Sequence, residues 1–366
     1  MNHVLFIEHV LFNNFQGFDM KKTLIAIAAI AAMGAASAEV TLYGKLDAGV
    51  SSSTKDGETN QGAVFGASNY ETSRIGVKGS SNIADGVKGM FQLEGKLGAT
   101  DGSFSNFGRQ AYLGLSGNFG TVAVGRMWTP YDSAFNDALE YNGFSAMGKA
   151  FYKGAHGDNG MDGSGASKNG IQYTSPSFSG FNAVVMYANN ADATSSMSAT
   201  NYMSLGLNYA NGPFSVNLAA EKVLTSLHNV ASPAAGLGLA STSGSYTNAW
   251  ILAGSYDLGV AKVFAAAEGA TADGFVAGSA KDTGYSVGVS VPLNKATTVG
   301  LGYAQETTTL ASLADGKSSS IGIQAVYAWN AATAIYGGYL SADNTALGSS
   351  TAVKESKIAA GVRYNF

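Results

Sequence analysis

The last ten residues of the chain alternate between apolar and polar side chains, as a strand with two different faces does. The apolar face carries Ile358, Ala360, Val362, Tyr364 and Phe366, and the polar face carries Lys357, Arg363 and Asn365. A strand with this pattern suits a wall between lipid and water. Because an aromatic residue ends the chain, we expect this strand to pair with the first one, and such a closure makes a barrel.

The same period of two recurs along the chain from residue 39 onward. In the first segment Leu42, Leu46 and Val50 lie opposite Lys45 and Asp47. Short joins that read as tight turns lie near 81–86, 117–120, 175–180, 211–213, 257–259, 292–295 and 330–332. Each turn implies a hairpin. With a first and a last strand added, the pattern predicts an all-β fold, a 16-stranded antiparallel transmembrane β-barrel with short turns at one end and long loops at the other.

Long interruptions fall near 52–70, 97–107, 127–167, 190–200, 225–246, 271–281, 307–317 and 341–354. The third of them, at 127–167, is the longest and has an unusual composition. It begins with apolar side chains, among them Trp128, Tyr131 and Phe135. A loop that only caps the rim of a barrel could be short and polar, whereas one with its own apolar groups must pack against something. We therefore expect this third loop to fold into the barrel.

The amino-terminal part of the chain has the features of a secretory signal. Lys21 and Lys22 precede the apolar run TLIAIAAIAAMGA, and Ala36-Ser37-Ala38 supplies small residues at a cleavage site. The apolar run is short of the ~20 residues that a membrane-spanning helix needs. The sequence therefore predicts a signal peptide over 20–38 and a barrel domain over 39–366. We interpret 1–19 as an upstream extension from a mis-assigned start.

Composition supports a barrel in a membrane and argues against several other classes of protein. Formal net charge is −4, which disfavours a nucleic-acid partner held by a basic face. Charged residues make up only 13%, while Gly reaches 48 and Tyr and Phe 18 each. The chain has no cysteine, so neither disulfides nor thiolate metal ligands are available.

Catalytic and metal-binding signals are weak. Beyond the signal segment the chain has two histidines, His156 and His228, and neither lies next to a recognisable nucleophile motif. His156 with Asp158 and Asp162 could be read as a metal site, but Gly- and Asp-rich loops are usually solvated. We expect no catalytic residue, no metal and no cofactor.

Six segments carry a resemblance to a known family. They are VTLYGKLDAGV at 40–50, SRIGVKGS at 73–80, GMFQLEGKL at 89–97, GRQAYLGLSGNFGTVAVGR at 108–126, YTSPSFSGF at 173–181 and GVRYNF at 361–366. In this order they resemble the trimeric general diffusion porins of Gram-negative bacteria, especially the Neisseria and Burkholderia type. The resemblance covers essentially all of 39–366.

The resemblance implies a location, partners and a function. The chain would cross the outer membrane of a Gram-negative bacterium many times, as a homotrimer in contact with lipid and lipopolysaccharide. Each barrel would pass ions and small hydrophilic solutes through a pore narrowed by the third loop. The assembly machinery would read the carboxy-terminal strand through Tyr364 and Phe366.

The resemblance also implies a charged constriction, with acidic residues of the third loop facing a basic wall. By similarity the basic wall is assigned to Lys45, Arg74, Arg109, Arg126 and Lys168, and the acidic side to Asp132, Asp137 and Glu140. Simple alternation from Val122 and Val124 turns Arg126 outward unless the strand ends there. The third loop also departs from the PEF-type tip of many relatives, which leaves the acidic positions open.

Other functions remain possible from the sequence. A substrate-selective porin, specific for sugars or anions, would show a ladder of aromatic side chains along the pore, but inward aromatics such as Tyr43 and Phe264 are scattered. A barrel hydrolase is less favoured because no catalytic arrangement is visible. A soluble β-sandwich would not explain sixteen regular segments and an aromatic closing strand. Net charge does not decide ion selectivity, because wall and loop charges oppose each other.

The cleavage site makes a testable prediction. Because Ala36-Ser37-Ala38 fits the rule for small residues before the cut, the mature protein should begin at Glu39. Amino-terminal sequencing of the membrane-embedded protein would check this. A sequence that starts at Met1 or Met20 would contradict it.

Overall fold

The computed structural model describes residues 39–58, 61–138, 166–189, 201–225, 245–275, 278–311 and 313–366. These residues form seventeen strands and one helix. They are β1 Glu39–Lys55, β2 Gln61–Ala67, β3 Arg74–Ala84, β4 Val87–Leu97, β5 Phe104–Gly117, β6 Gly120–Trp128, α1 Pro130–Ala138, β7 Ala166–Thr174, β8 Phe181–Ala188, β9 Asn201–Asn211, β10 Phe214–Thr225, β11 Ser245–Asp257, β12 Lys262–Phe275, β13 Gly278–Pro292, β14 Thr297–Thr309, β15 Gly316–Ala328, β16 Thr333–Thr345 and β17 Ala352–Asn365.

The strands form one closed antiparallel sheet. Successive strands pair with each other, and β1 pairs with β17 in the register Lys45↔Asn365. β2 and β3 share one position in the barrel wall, because β3 pairs with the first part of β1, Glu39–Lys45, and β2 pairs with the later part, Ala48–Ser53. The seventeen strands therefore occupy sixteen positions, and the predicted 16-stranded barrel is confirmed.

The predicted tight turns are also confirmed. All seven joins between paired strands fall where the sequence placed them, at 85–86, 118–119, 175–180, 212–213, 258–261, 293–296 and 329–332. A long interruption predicted at 271–281 is wrong, because β12 and β13 remain paired there in the register Thr271↔Lys281. Polar side chains do not interrupt a ladder, since the pairing is made by the backbone.

The two faces of the wall differ as the alternation predicts. Large apolar side chains point outward, among them Leu113, Val124 and Ile323, which are 70%, 56% and 48% exposed. The inward positions carry small and polar side chains, as on β12, where Ala266 and Glu268 are buried. The wall therefore presents an apolar surface outside and a polar lining inside.

Among the described residues, none of the helices is both long and apolar enough to cross a membrane.

Helix α1 lies inside the barrel. Thr129 is its N-cap: the Thr129 hydroxyl accepts from the Asp132 N–H at 3.1 Å and donates to Asp132 Oδ2 at 2.8 Å, and Pro130 occupies the first helical position. The helix packs against β8–β12. Tyr131 is buried there and donates its hydroxyl proton to Glu268 Oε2 at 2.8 Å.

The inner wall beneath α1 is built mainly from small residues. Tyr131 and Ala134 share a buried cluster with Ala219, Ala249, Ile251, Ala253, Ala266, Ala270 and Ala304. Alanines on the inward positions let the helix approach the wall closely. The first part of the predicted inward loop thus lies against the wall. Residues 139–165 are outside the described ranges, so the inward course of the whole loop stays a prediction.

The carboxy-terminal residue closes the barrel beside β1. The Gly44 N–H donates to the Phe366 carbonyl at 2.9 Å, and the Phe366 N–H donates to the Gly44 carbonyl at 3.1 Å. The ring of Phe366 covers Gly44, where a Cβ atom would lie 2.3 Å from Phe366 Cζ and 2.8 Å from the Arg74 carbonyl oxygen. The absence of a side chain at position 44 therefore makes room for the terminal ring.

Gly44→Ala should weaken this closure. The added methyl group overlaps both a ring and a backbone oxygen, and overpacking of this kind costs ~1–3 kcal/mol. Gly62→Ala on β2 is the matched control, because a Cβ there meets nothing within 4 Å. Urea unfolding in detergent should show a lower midpoint for Gly44→Ala only. Equal midpoints for the two variants would contradict this account of closure.

Candidate site: a charged inner wall

Basic side chains gather on the inner face of neighbouring strands at the closure of the barrel. Lys45 on β1 pairs in register with Arg74 on β3, and Arg363 lies on β17, which flanks β1 on its other side. Arg109 on β5 joins them through a bulge, since the β4–β5 register shifts between Glu94 and Lys96. A bulge re-aims the side chains that follow it. The fold therefore brings together four cations that are far apart in sequence.

Glu94 forms ion pairs with two of these cations, Arg109 and Arg74. Arg109 Nε lies 2.6 Å from Glu94 Oε1, and Arg74 Nε lies 4.0 Å from Oε2. The Tyr43 hydroxyl donates to Oε2 at 2.9 Å. The Arg109 guanidinium also lies 5.0 Å from the centre of the Trp128 ring. Arg109 is thus held firmly, while Arg74 is held loosely, and its side chain is 25% exposed.

The segment of chain between β2 and β3 leaves the barrel wall and folds into the lumen. Ser68 turns the chain with a φ of 60°, and the chain rejoins the sheet at Arg74. The Asp47 carboxylate accepts the N–H groups of Asn69, Tyr70 and Glu71 at 3.1, 3.2 and 2.8 Å. We call residues 68–73 the inner bulge. Because Asp47 points into the lumen, the inner bulge lies inside the barrel.

Asp47 also reaches across the closure to the far end of the chain. The Tyr336 hydroxyl on β16 donates to Asp47 Oδ1 at 2.7 Å, and Asp47 is fully buried. The ring of Tyr70 stacks on that of Tyr336, with centroids 4.9 Å apart. A buried carboxylate with four donors around it is well compensated. Asp47 therefore clamps the inner bulge to β1 and β16.

The inner bulge delivers a carboxylate to the remaining two cations. Glu71 Oε1 lies 2.6 Å from Lys45 Nζ, and Glu71 Oε2 pairs with Arg363 Nη1. The Arg363 guanidinium also lies 5.5 Å from the centre of the Tyr70 ring. Two of the four cations are therefore paired with a residue that the inner bulge positions.

The opposite side of the lumen is acidic. Inward positions of β10, β12, β13 and β14 carry the buried carboxylates of Glu221, Glu268, Asp282 and Glu306. Burial raises the pKa of the Tyr131 phenol well above its ordinary value, and the neighbouring Glu268 carboxylate raises it further. Tyr131 therefore keeps its proton and remains a donor to Glu268. Cations therefore cluster near β1, whereas these buried acidic side chains lie from β10, the strand halfway round the barrel, to β14.

The structure brings some of the predicted site residues together and separates others. Lys45, Arg74 and Arg109 lie in one cluster. Arg126 on β6 is buried, and its Nε donates to the Gly108 carbonyl. Asp132 caps helix α1 through Thr129.

The other predicted residues fall partly outside the described part of the chain. Asp137 lies in α1 and Lys168 on β7, but the side chains of both are outside the description. Glu140 is outside the described ranges. Tyr364 lies on β17 and is 46% exposed, and Phe366 follows it beside β1.

Sequence reasoning did not assign Glu71, Glu94 or Arg363 to the site. Alternation alone places Glu94 and Arg363 on inward faces, so the signal for these two was present. Glu71 gave no such signal, because it lies just past the long interruption near 52–70 and outside the segments with a period of two.

Comparison with known proteins identifies the class. A family profile described as Gram-negative porin matches residues 23–347. The outer membrane porin protein 32 of Delftia acidovorans is 34% identical over 330 residues, which cover 87% of this chain and 88% of that protein. The anion-selective porin from Comamonas acidovorans superposes with a TM-score of 0.75 at 26% identity and covers 90% of this chain and all of that one. OmpT of Vibrio cholerae in its trimer form superposes at 0.69 with 17% identity, over 90% of this chain and 99% of that one.

Asp47→Asn should destabilise the barrel. An amide offers one acceptor oxygen and places N–H donors against the N–H groups of the inner bulge, which costs about 2–3 kcal/mol. Asp101→Asn is the control, since its carboxylate accepts from Ser103 in an exposed turn. We expect a lower urea midpoint for Asp47→Asn and almost no change for Asp101→Asn. If both variants unfold at the midpoint of the parent protein, Asp47 is not a clamp.

Proposed function

Since this chain belongs to the Gram-negative porin family, we propose that ions and small hydrophilic solutes cross its barrel through a constriction with opposite charges on its two sides. The protein is a passive diffusion channel of the outer membrane, and its strands cross the membrane many times. The charged constriction selects among the solutes that enter the channel.

The observation that carries the proposal is the separation of charge across the lumen. Lys45, Arg74 and Arg109 lie near the closure of the barrel, and helix α1, which begins the acidic third loop, packs against β8–β12 on the far wall. Opposite charges across a narrow wet gap create a transverse field, which orients polar solutes and sorts ions. Uncharged solutes are then sorted mainly by size.

The finer residue assignment follows from the same arrangement. We assign the basic side to Lys45, Arg74 and Arg109, with Arg126 and Lys168 further along the wall. The acidic side of the third loop is assigned to Asp137 and Glu140. Asp132 contributes its charge at the helix start, where it is held by Thr129.

Anion preference is the second candidate function. Among the described residues of the cluster at the closure of the barrel, cations outnumber carboxylates. These four cations are Lys45, Arg74, Arg109 and Arg363, and the three carboxylates are Asp47, Glu71 and Glu94. A relative of similar fold is named as an anion-selective porin. The excess cation is best identified with Arg74, since its only ion pair among the described residues is the 4.0 Å approach to Glu94.

Assembly and processing complete the proposal. Residues 20–38 act as a signal peptide and 1–19 as an upstream extension. The barrel assembles as a homotrimer, which the likeness to a barrel in trimer form supports. Lipid and lipopolysaccharide contact the outer wall, and the assembly machinery reads Tyr364 and Phe366. The channel catalyses no reaction and uses no cofactor.

Arg74→Gln should raise the preference for cations. Removing a unit charge several ångströms from the ion path changes the energy of a passing ion by under about 1 kcal/mol in water, so the permeability ratio should change roughly two- to fivefold. Reversal potentials in a salt gradient measure this ratio. Lys55→Gln is the control, because Lys55 pairs with Glu58 on an exposed outer strand end.

The acidic side of the filter has a complementary test. Asp137→Asn with Glu140→Gln should move the reversal potential in the opposite direction to Arg74→Gln. If the reversal potential stays fixed in both folded variants, these charges do not form the filter.

A further inference from the structure

Glu71 holds a position that a passing anion could otherwise occupy. Each of its two carboxylate oxygens takes one cation, Oε1 the ammonium of Lys45 and Oε2 the guanidinium of Arg363. Two cations that converge on one carboxylate form the arrangement that binds carboxylate and phosphate groups in proteins. Here the bound anion is a side chain of the same molecule.

The protein builds this contact with its backbone, so it is more than a chance meeting of long side chains. The Glu71 N–H donates to Asp47 Oδ2 at 2.8 Å, and the preceding Tyr70 ring stacks on Tyr336. The chain leaves the sheet for six residues, 68–73, to make this contact. The inner bulge therefore fixes the Glu71 carboxylate between its two cations.

The two cations would remain in place without Glu71. Arg363 is held on β17 and lies over the Tyr70 ring, and Lys45 is held on β1 in register with Arg74. The side chains of Lys45 and Arg363 are 16% and 23% exposed, so the lumen reaches both. An anion in the pore could contact them if the carboxylate were withdrawn.

We propose that Lys45 and Arg363 form an anion-binding subsite for carboxylate and phosphate groups, and that Glu71 occupies it as an internal ligand. The inference rests on the proposed function, because it assumes that anions travel past this wall. With the subsite filled, the loosely held Arg74 attracts anions while no pair of cations retains them. Conduction needs binding that is weak enough for the ion to leave.

Glu71→Gln tests the proposal, with inorganic phosphate as the probe. Chloride current through single channels is recorded while the phosphate concentration is raised. In the Glu71→Gln variant, phosphate should reduce the current in a saturable way, with a midpoint about tenfold lower than in the parent protein. The double variant Glu71→Gln with Lys45→Gln should lose this block, because one of the two cations is gone.

Two further variants separate a binding site from a general change of charge. Glu58→Gln removes the same charge at the exposed outer end of the barrel and should behave like the parent protein. Glu71→Asp keeps the charge but withdraws the carboxylate by one methylene group, so it should show a partial phosphate block. It also leaves the inner bulge charged, which protects folding if the Gln variant is unstable.

The outcomes are distinct. A saturable block in Glu71→Gln or Glu71→Asp that disappears with Lys45→Gln supports the subsite. Folded, conducting Glu71 variants that respond to phosphate as the parent does would overturn it while leaving the proposed channel function intact. A parent protein that passes no current would overturn both.

Discussion

Every backbone N–H and C=O group within a lipid layer needs a partner, and this requirement governs the whole structure. Lipid offers no hydrogen bonds, so a sheet that crosses it must have no free edge. The chain meets this requirement by pairing β1 with β17 from Lys45↔Asn365 to Lys55↔Glu355. Phe366 extends the pairing by one residue to Gly44. The outer apolar surface and the inner polar lining follow from this closure, because a closed sheet has two unlike faces.

The closed wall has room inside, and the chain fills it from two sides. Helix α1 packs against inward-facing alanines of β10–β12, where the Tyr131 hydroxyl donates a hydrogen bond to Glu268. The inner bulge lies against β1 and β16, where Asp47 satisfies three N–H groups. Both elements bring polar groups to partners on the wall. As a result each charged side of the lumen has a fixed geometry, which a filter requires.

Much of this fold could be read from the sequence, because barrel strands carry their information locally. The period of two gave the faces of β1 and β17, and turn residues such as Asp257, Gly259 and Asn294 marked the short joins. Local patterns failed where pairing continued through polar residues, as between Thr271 and Lys281. They failed again at residues 68–73, where departure from the sheet depends on Asp47. The role of Glu71 requires contact with Arg363, and no short segment of sequence carries that information.

The Asp47 clamp ties the order of the lumen to the last step of folding. Its bond to Tyr336 joins residues 289 positions apart, so it is among the contacts with the greatest loss of chain entropy on forming. The hairpins from β4 to β15 can each form from neighbouring residues, but the inner bulge receives its Tyr336 contact only when the two ends of the sheet meet. A barrel that is still open thus has nearly all its strands and an unfinished interior. The Asp47–Tyr336 bond and the Glu71–Arg363 pair therefore form only when β17 reaches β1, so closure of the sheet also completes the cationic side of the lumen.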